Sequence, residues 1–364
     1  MHNKFAASLL TLALCACPFP CLAFEPLPAD TMDDSRTFRV EVLQVTDIEP
    51  YQEALNGFIS ALKSQDLVDG KNLSINRVKI DFDVEKGGFW SRLGVLMRIR
   101  QEAARIVNAH PDLVLTIGTP ATKYARGMLT DAHIPVVFTA VANPQDAGCV
   151  SLVDGGEGAT GSTLYTDMSD TLKLVHTVFP AVHKIGMIHT DDENGVANVA
   201  AATANAVPLG MAVSSRLVAK TEHIAPSLKE LYANGAGVDM FAVPLDTYYG
   251  LHRYEAAIDL SDFAAEHQLP VVTLAMVRVP GAALYVGADF GQVGKLAGNQ
   301  AAKILKRHIK PDVLPILRQE TPTVLVDPAR LAALNVTLPS ALASRKTEVK
   351  NGYWQIELAN DAPK

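Results

Sequence analysis

Few residues in this chain have the types and spacing that chemistry requires. Gly156-Glu157-Gly158-Ala159-Thr160-Gly161 matches G-x-G-x-x-G. A dinucleotide site needs that pattern to follow a strand and open a helix, where bare backbone and a helix N-terminus meet a pyrophosphate. Here it follows the loop Ser151 to Gly155, and a strand is expected from about Thr160, so the pattern reads as a surface turn. Asp191-Asp192-Glu193-Asn194 gathers carboxylates behind an apolar run. The cluster lacks the spacing of a calcium loop. It reads either as a solvated turn capping the next helix or as a cleft loop reaching a ligand. The ten His include no H-E-x-x-H and no C-x-x-C partner, so no metal site is expected. G-x-S-x-G and G-x-x-x-x-G-K-[ST] are both missing from the sequence. A triad can be scattered along a chain, but no base and nucleophile stand out. No catalytic residue and no cofactor is expected.

Two other stretches suit non-covalent binding. Ile117-Gly118-Thr119-Pro120-Ala121-Thr122 follows a compact apolar run and should open a helix near Thr119. Gly118 lets the backbone approach closely, and Pro120 fits a first helical turn. Thr119 is suited to capping the helix and to facing a cleft, and the free N–H groups behind it would attract an anion. Val137-Phe138-Thr139-Ala140-Val141-Ala142-Asn143-Pro144 begins as a strand and ends in a turn. That places the polar Thr139 at a strand end, facing a cleft or serving the sheet edge.

The elements that must position these residues alternate. Strands are expected at Phe38–Leu43, Leu73–Phe82, Asp112–Ile117 and Ile134–Thr139, with helices at Tyr51–Lys63, Arg92–Asn108 and from Thr119. After Gly148 the pattern restarts, with strands at Lys184–Ile188, Val213–Val218 and Asp239–Val243. Helices fall at Asn194–Val207, Ile224–Tyr232 and Leu251–Glu266. Strands near Val271–Leu274, Ala283–Gly287 and Thr323–Val326 follow. Such alternation means α/β architecture with parallel sheets covered on both faces, here as two doubly wound lobes. Ligands bind beyond the carboxyl ends of such strands, so two facing sheets suit enclosing a small molecule by hinge closure.

Composition agrees. The chain has 364 residues, 48% hydrophobic and 20% charged, with net charge −7 and only 6% aromatic residues. No Lys/Arg run and few stacking rings mean that nucleic acid is not an expected partner. Residues 1–23 read as a signal peptide: Lys4, an apolar Phe5–Cys17, then Cys21-Leu22-Ala23 before a cleavage site. The apolar run is shorter than the roughly 20 residues that span a bilayer. Cleavage there would leave Cys149 as the single cysteine of the four, so no internal disulfide is expected. Leu14-Cys15-Ala16-Cys17 also partly resembles a lipoprotein box, with Cys17 as the lipidated residue. The expected location is the periplasm or cell envelope.

An ordered set of short motifs resembles the substrate-binding proteins of ABC transporters related to tryptophan/tyrosine uptake. It comprises Asn56-Gly57-Phe58, Asp69-Gly70-Lys71-Asn72, Ile117 to Ala121, Ile134 to Val141, Asn143-Pro144, Ala147-Gly148, Thr160-Gly161, Val243-Pro244 and Ala302 to Lys306. The resemblance runs from about Phe38 to Leu338. It implies a type I periplasmic-binding fold with three crossovers, a small-molecule ligand, and a permease with its ATPase as partners. Lobe boundaries are expected at 37–144 plus 268–309 and at 145–267 plus 310–345, followed by a tail from 346 to 364, in a monomer.

By the same resemblance, Thr46, Asp47, Gly118, Thr119, Pro120, Ala121, Thr139 and Ala140 face the ligand from the first lobe. Asn194, Leu245 and Asp246 face it from the second, and Met276, in the 268–309 segment, is a further ligand-facing residue. Asp246 could pair with an ammonium or cap its loop, while Met276 and Leu245 favour an apolar ligand body. Relatives typically carry an Asn-Pro turn and then Asn-Ser where this chain has Thr190-Asp191 and Gly195-Val196. The leading expectation is solute capture for transport. A ligand sensor of the same fold is the alternative.

Overall fold

The computed structural model describes residues 36–80, 89–233 and 237–358. The expected signal peptide and lipidation site lie outside these residues. None of the described helices is long and apolar enough to cross a membrane.

The first lobe begins with β1 (Phe38–Val45), α1 (Glu49–Ser64), β2 (Leu73–Ile80), α2 (Phe89–Ala109), β3 (Leu113–Ile117), α3 (Thr119–Asp131), β4 (Val136–Val141) and β5 (Ala159–Thr163). The chain then crosses to a second lobe made of α4 (Met168–Val178), β6 (Lys184–His189), α5 (Glu193–Ala206), β7 (Ala212–Leu217), α6 (Ala225–Ala233), β8 (Met240–Val243), α7 (Glu255–Glu266), β9 (Val271–Thr273) and β10 (Leu284–Gly287). It returns through α8 (Phe290–Arg307) and β11 (Leu317–Arg318). A third crossing leads to β12 (Thr323–Val326), α9 (Pro328–Ala333), α10 (Ser340–Ala343), β13 (Lys346–Glu348) and β14 (Trp354–Ile356).

The first sheet runs β11-β5-β4-β3-β1-β2 and is parallel throughout. The second runs β13-β14-β12-β10-β9-β8-β6-β7, parallel from β10 to β7 and antiparallel beyond. β3, β4 and β8 are buried along their whole length, as strands with helices on both faces must be. Phe58, Leu62 and Val293 fill one face of the first sheet, and Ile99, Ile106 and Leu129 the other. Met187 and Leu172 occupy one face of the second, Phe241 and Leu260 the other.

Sheet membership departs from the expected boundaries. β5 and β11 belong to the first sheet, whereas 145–267 and 310–345 had been expected in the second lobe. β9 and β10 belong to the second sheet, whereas 268–309 had been expected in the first. α8 alone of that segment returns to the first lobe, and glycines are the reason. A Cβ on Gly294 would lie 1.9 Å from the Ala54 carbonyl oxygen, and one on Gly57 2.1 Å from that of Gly291. The backbones of α1 and α8 therefore touch, which only residues without a side chain permit. The expected tail is also a correction in part. β13 and β14 form an antiparallel hairpin that extends the second sheet, with Ile356 in its core.

Candidate functional site

The two sheets present their carboxyl ends to each other, and the helix N-termini there meet. Gly118 is the residue before α3, with φ 90°. A Cβ there would lie 2.6 Å from the Tyr51 hydroxyl oxygen, so the turn needs glycine for both space and backbone. Thr119 was expected to cap α3. It is instead the first helical residue, and α3 has no side-chain cap. Its hydroxyl is fully buried and donates to Asn194 Oδ1 across the lobes at 2.9 Å. One turn further on, Lys123 Nζ pairs with Glu193 Oε1 at 2.8 Å. Elsewhere on the interface the Tyr254 hydroxyl donates to Glu49 Oε2. Leu245 and Met276, carried by the second lobe, pack against the first-lobe core. Pro120 stands in the first turn of α3, and Ala121 is buried beneath it.

Ala140 is buried with φ 56°, and the β4–β5 register shifts between Phe138 and Val141. A bulge in that position re-aims the strand end. Thr139, expected to face the ligand, turns its hydroxyl to Ser162 Oγ at 3.1 Å; Ser162 in turn donates to the Val293 carbonyl. That is a sheet-to-helix tie inside the first lobe. Thr46 and Asp47 are held toward β2: Asp47 pairs with Lys79 at 2.5 Å and lies 3.7 Å from Arg77, while Thr46 N–H donates to the Ile80 carbonyl.

Asp246 is buried and engaged. Its Oδ2 accepts from Thr190 N–H at 2.6 Å, its Oδ1 from Tyr248 N–H at 2.9 Å, and the Thr190 hydroxyl reaches both. This is the loop-cap reading. It also accounts for Gly195, since a Cβ there would lie 2.5 Å from Asp246 Oδ2. Burial, then the nearby Asp192 carboxylate, push the Asp246 carboxyl up to about 6, against the N–H bonds from Thr190 and Tyr248 and the Lys220 ammonium.

Asp192 caps α5 through Asn194 N–H and accepts from the Thr247 hydroxyl at 2.8 Å. Burial and then the Asp192 charge hold the phenol of Tyr51, in the first lobe, well above its ordinary range. The Asp191 to Asn194 cluster is thus both a helix cap and an interlobe element. Sequence reading offered Asp192 and Glu193 as part of a cleft loop but missed Tyr51 and Lys123 as interlobe groups. No periodicity marks such residues, because their partners are distant in sequence. Thr273, at the end of β9, has a buried hydroxyl without a hydrogen-bond partner among the described residues.

A cavity of about 310 Å³ opens behind the Thr119–Asn194 bond, between the first two crossover segments. Asn194 and Leu245 line it, with Asn198, Asn205, Leu274 and Phe290. It is within the size range of small-ligand pockets.

Beside this architecture of two doubly wound lobes joined by three crossings, the sequence over residues 39–350 matches the family described as ABC transporter substrate binding protein. The chain belongs to that family. Its members are substrate-binding proteins, not enzymes. A tyrosine-binding protein of Clostridioides difficile (strain R20291) is 25% identical over 312 residues, 85% of this chain and 84% of that protein. Among solved structures, the ABC domain of Streptococcus pneumoniae in complex with L-Trp superposes with a TM-score of 0.71 at 20% identity, covering 85% of this chain and 98% of that one. A ligand-free, open substrate-binding protein with adhesive properties from Clostridium difficile gives 0.64 at 22% identity, covering 84% and 97%. The periplasmic-binding architecture expected from the sequence is the one observed.

Proposed function

We propose that this protein is the exported capture component of an ABC transporter. It encloses a small zwitterion with an apolar body, of the aromatic amino-acid class, by closing its lobes, and presents it to a permease driven by an ATPase. The observation that carries this reading is the bond from Thr119 to Asn194, which joins the N-terminal turns of α3 and α5 across the cleft. The cleft edges are electrostatically opposite. On the first lobe α3 starts without a side-chain cap, so its N–H groups and dipole suit a carboxylate. On the second, Asp192 with Asp246 behind it suits an ammonium. Leu245, Met276 and Phe290 offer apolar surface for the body between them. A tyrosine-binding relative and a neighbour solved with L-Trp are consistent with that ligand class.

The test is a thermal-shift screen of the mature protein against L-tyrosine, L-tryptophan, other amino acids, nucleobases and short peptides. A ligand at 100 times its dissociation constant stabilises the native state by about 2.7 kcal/mol. An upward shift with aromatic amino acids alone supports the reading. A shift only with another class overturns the ligand assignment. No shift at all, with native mass spectrometry showing an empty cleft, overturns capture itself.

A further inference from the structure

We infer that the hinge-side chamber receives the ligand's body, and that Asn198 makes it select a body ending in an uncharged hydrogen-bonding group, such as a phenol hydroxyl, over a hydrocarbon one. The inference rests on the capture reading above and specifies the ligand within it.

The chamber wall on the second lobe is one stripe of α5. Asn194, Ala197, Asn198, Ala201 and Asn205 recur at helical spacing and all line the cavity. The alanines leave room, and the asparagines supply polar groups. Each carboxamide has one end engaged. Asn194 Oδ1 accepts from the Thr119 hydroxyl, and Asn198 Oδ1 from Leu245 N–H at 3.4 Å. Asn205 Nδ2 donates to the Ala201 carbonyl. The other ends have no hydrogen bond to the described residues. On this stripe two amide donors and one carbonyl acceptor therefore remain for a ligand, and Asn143, Tyr165, Thr166 and Ser169 line the facing wall. Leu245, Leu274 and Phe290 form the apolar part of the wall, and Asp167 is its single charged side chain.

This chemistry discriminates in both directions. A hydrocarbon body would strip water from the carboxamides and return no hydrogen bond, leaving them unsatisfied. A charged body would be desolvated with only Asp167, which already caps α4, for company. A neutral hydroxyl both accepts and donates, matching what is left open. Reach selects the residue. If the ligand's head sits where α3 meets Asn194, Asn198 is one helical turn farther into the chamber, about 6 Å along α5. That is close to the span of a phenol side chain.

The experiment is calorimetry of the full mature protein with L-tyrosine and L-phenylalanine, on the wild type, Asn198→Leu and Asn198→Ala. Unfolding curves check that each variant is folded. The wild type should bind tyrosine roughly tenfold tighter, the upper end of one hydrogen bond. Both variants should bring the ratio to within about twofold of unity without weakening phenylalanine. A wild-type ratio near one, or a ratio unchanged in the folded variants, refutes the role of Asn198 and leaves capture intact. Binding of neither amino acid, with binding of another class in the screen above, overturns the ligand class and this inference together.

Discussion

Thr119→Val isolates the interlobe bond. The exchange keeps a β-branched side chain and removes one hydroxyl. Thr119 Oγ1 lies 2.9 Å from Asn194 Oδ1 and is fully buried. A hydrogen bond in such a place contributes about 0.5–1.5 kcal/mol net. Under the capture proposal it joins the two lobes only in the closed arrangement, so its loss should fall on closure and not on the fold of either lobe. Converted at room temperature, affinity should fall about 2- to 13-fold. Most of that should appear in the dissociation rate, since closure outlasts encounter. Calorimetry and stopped-flow with L-tyrosine and L-tryptophan on the wild type, Thr119→Val, Asn194→Ala and the double variant give the coupling between the two side chains. It should recover most of the single-variant loss, because the residues are in direct contact. Unchanged affinity, or losses that simply add, would refute the claim that this bond closes the cleft. Loss of the folded circular dichroism signal in Thr119→Val would show instead that the hydroxyl serves the start of α3.

Two further expectations concern Asp246 and its surroundings. Gly195→Ala should destabilise the protein by about 1–3 kcal/mol in urea unfolding, the usual cost of forcing a methyl into a filled site. Its Cβ would lie 2.5 Å from an Asp246 oxygen that Thr190 and Tyr248 hold in place, and a neutral effect would mean the carboxylate is free to move. Asp246 itself should confer a pH dependence. In the folded state its carboxyl is pushed up to about 6, while the unfolded chain gives up that proton near about 3.9. Between these values the native state binds more protons, so this contribution is fully present below about pH 4 and is lost as pH rises through about 6. The full difference is about 3 kcal/mol, and Asp246→Asn should flatten that part of the stability profile. If a ligand ammonium faces Asp192, with Asp246 behind it, binding near pH 6 should also release protons. Identical calorimetric heats in buffers of different ionisation enthalpy would argue against that placement.

The alternation of apolar runs and amphipathic stretches already determined two doubly wound lobes, because strands covered on both faces and helices covered on one leave periodic marks in the chain. Thr323–Val326 was legible to the residue, and most other elements to within a few, since each is a local fact. Gly118, Thr119 and Asn194 were legible as residues of strand-to-helix turns for the same reason. Which lobe owns β5, β9 and β10 was decided only by tertiary structure, because sheet order depends on pairings between segments far apart. So were the hydrogen-bond partners of Asp246, which the sequence left open between an ammonium partner and a loop cap. Its neighbours Thr190 and Gly195 precede it by about fifty residues, and only their convergence makes the carboxylate an internal cap. The Asn stripe of α5 is likewise an ordinary polar face in sequence. It becomes a chamber wall only when the first lobe is laid against it, since a binding surface belongs to two elements at once and no single segment records it.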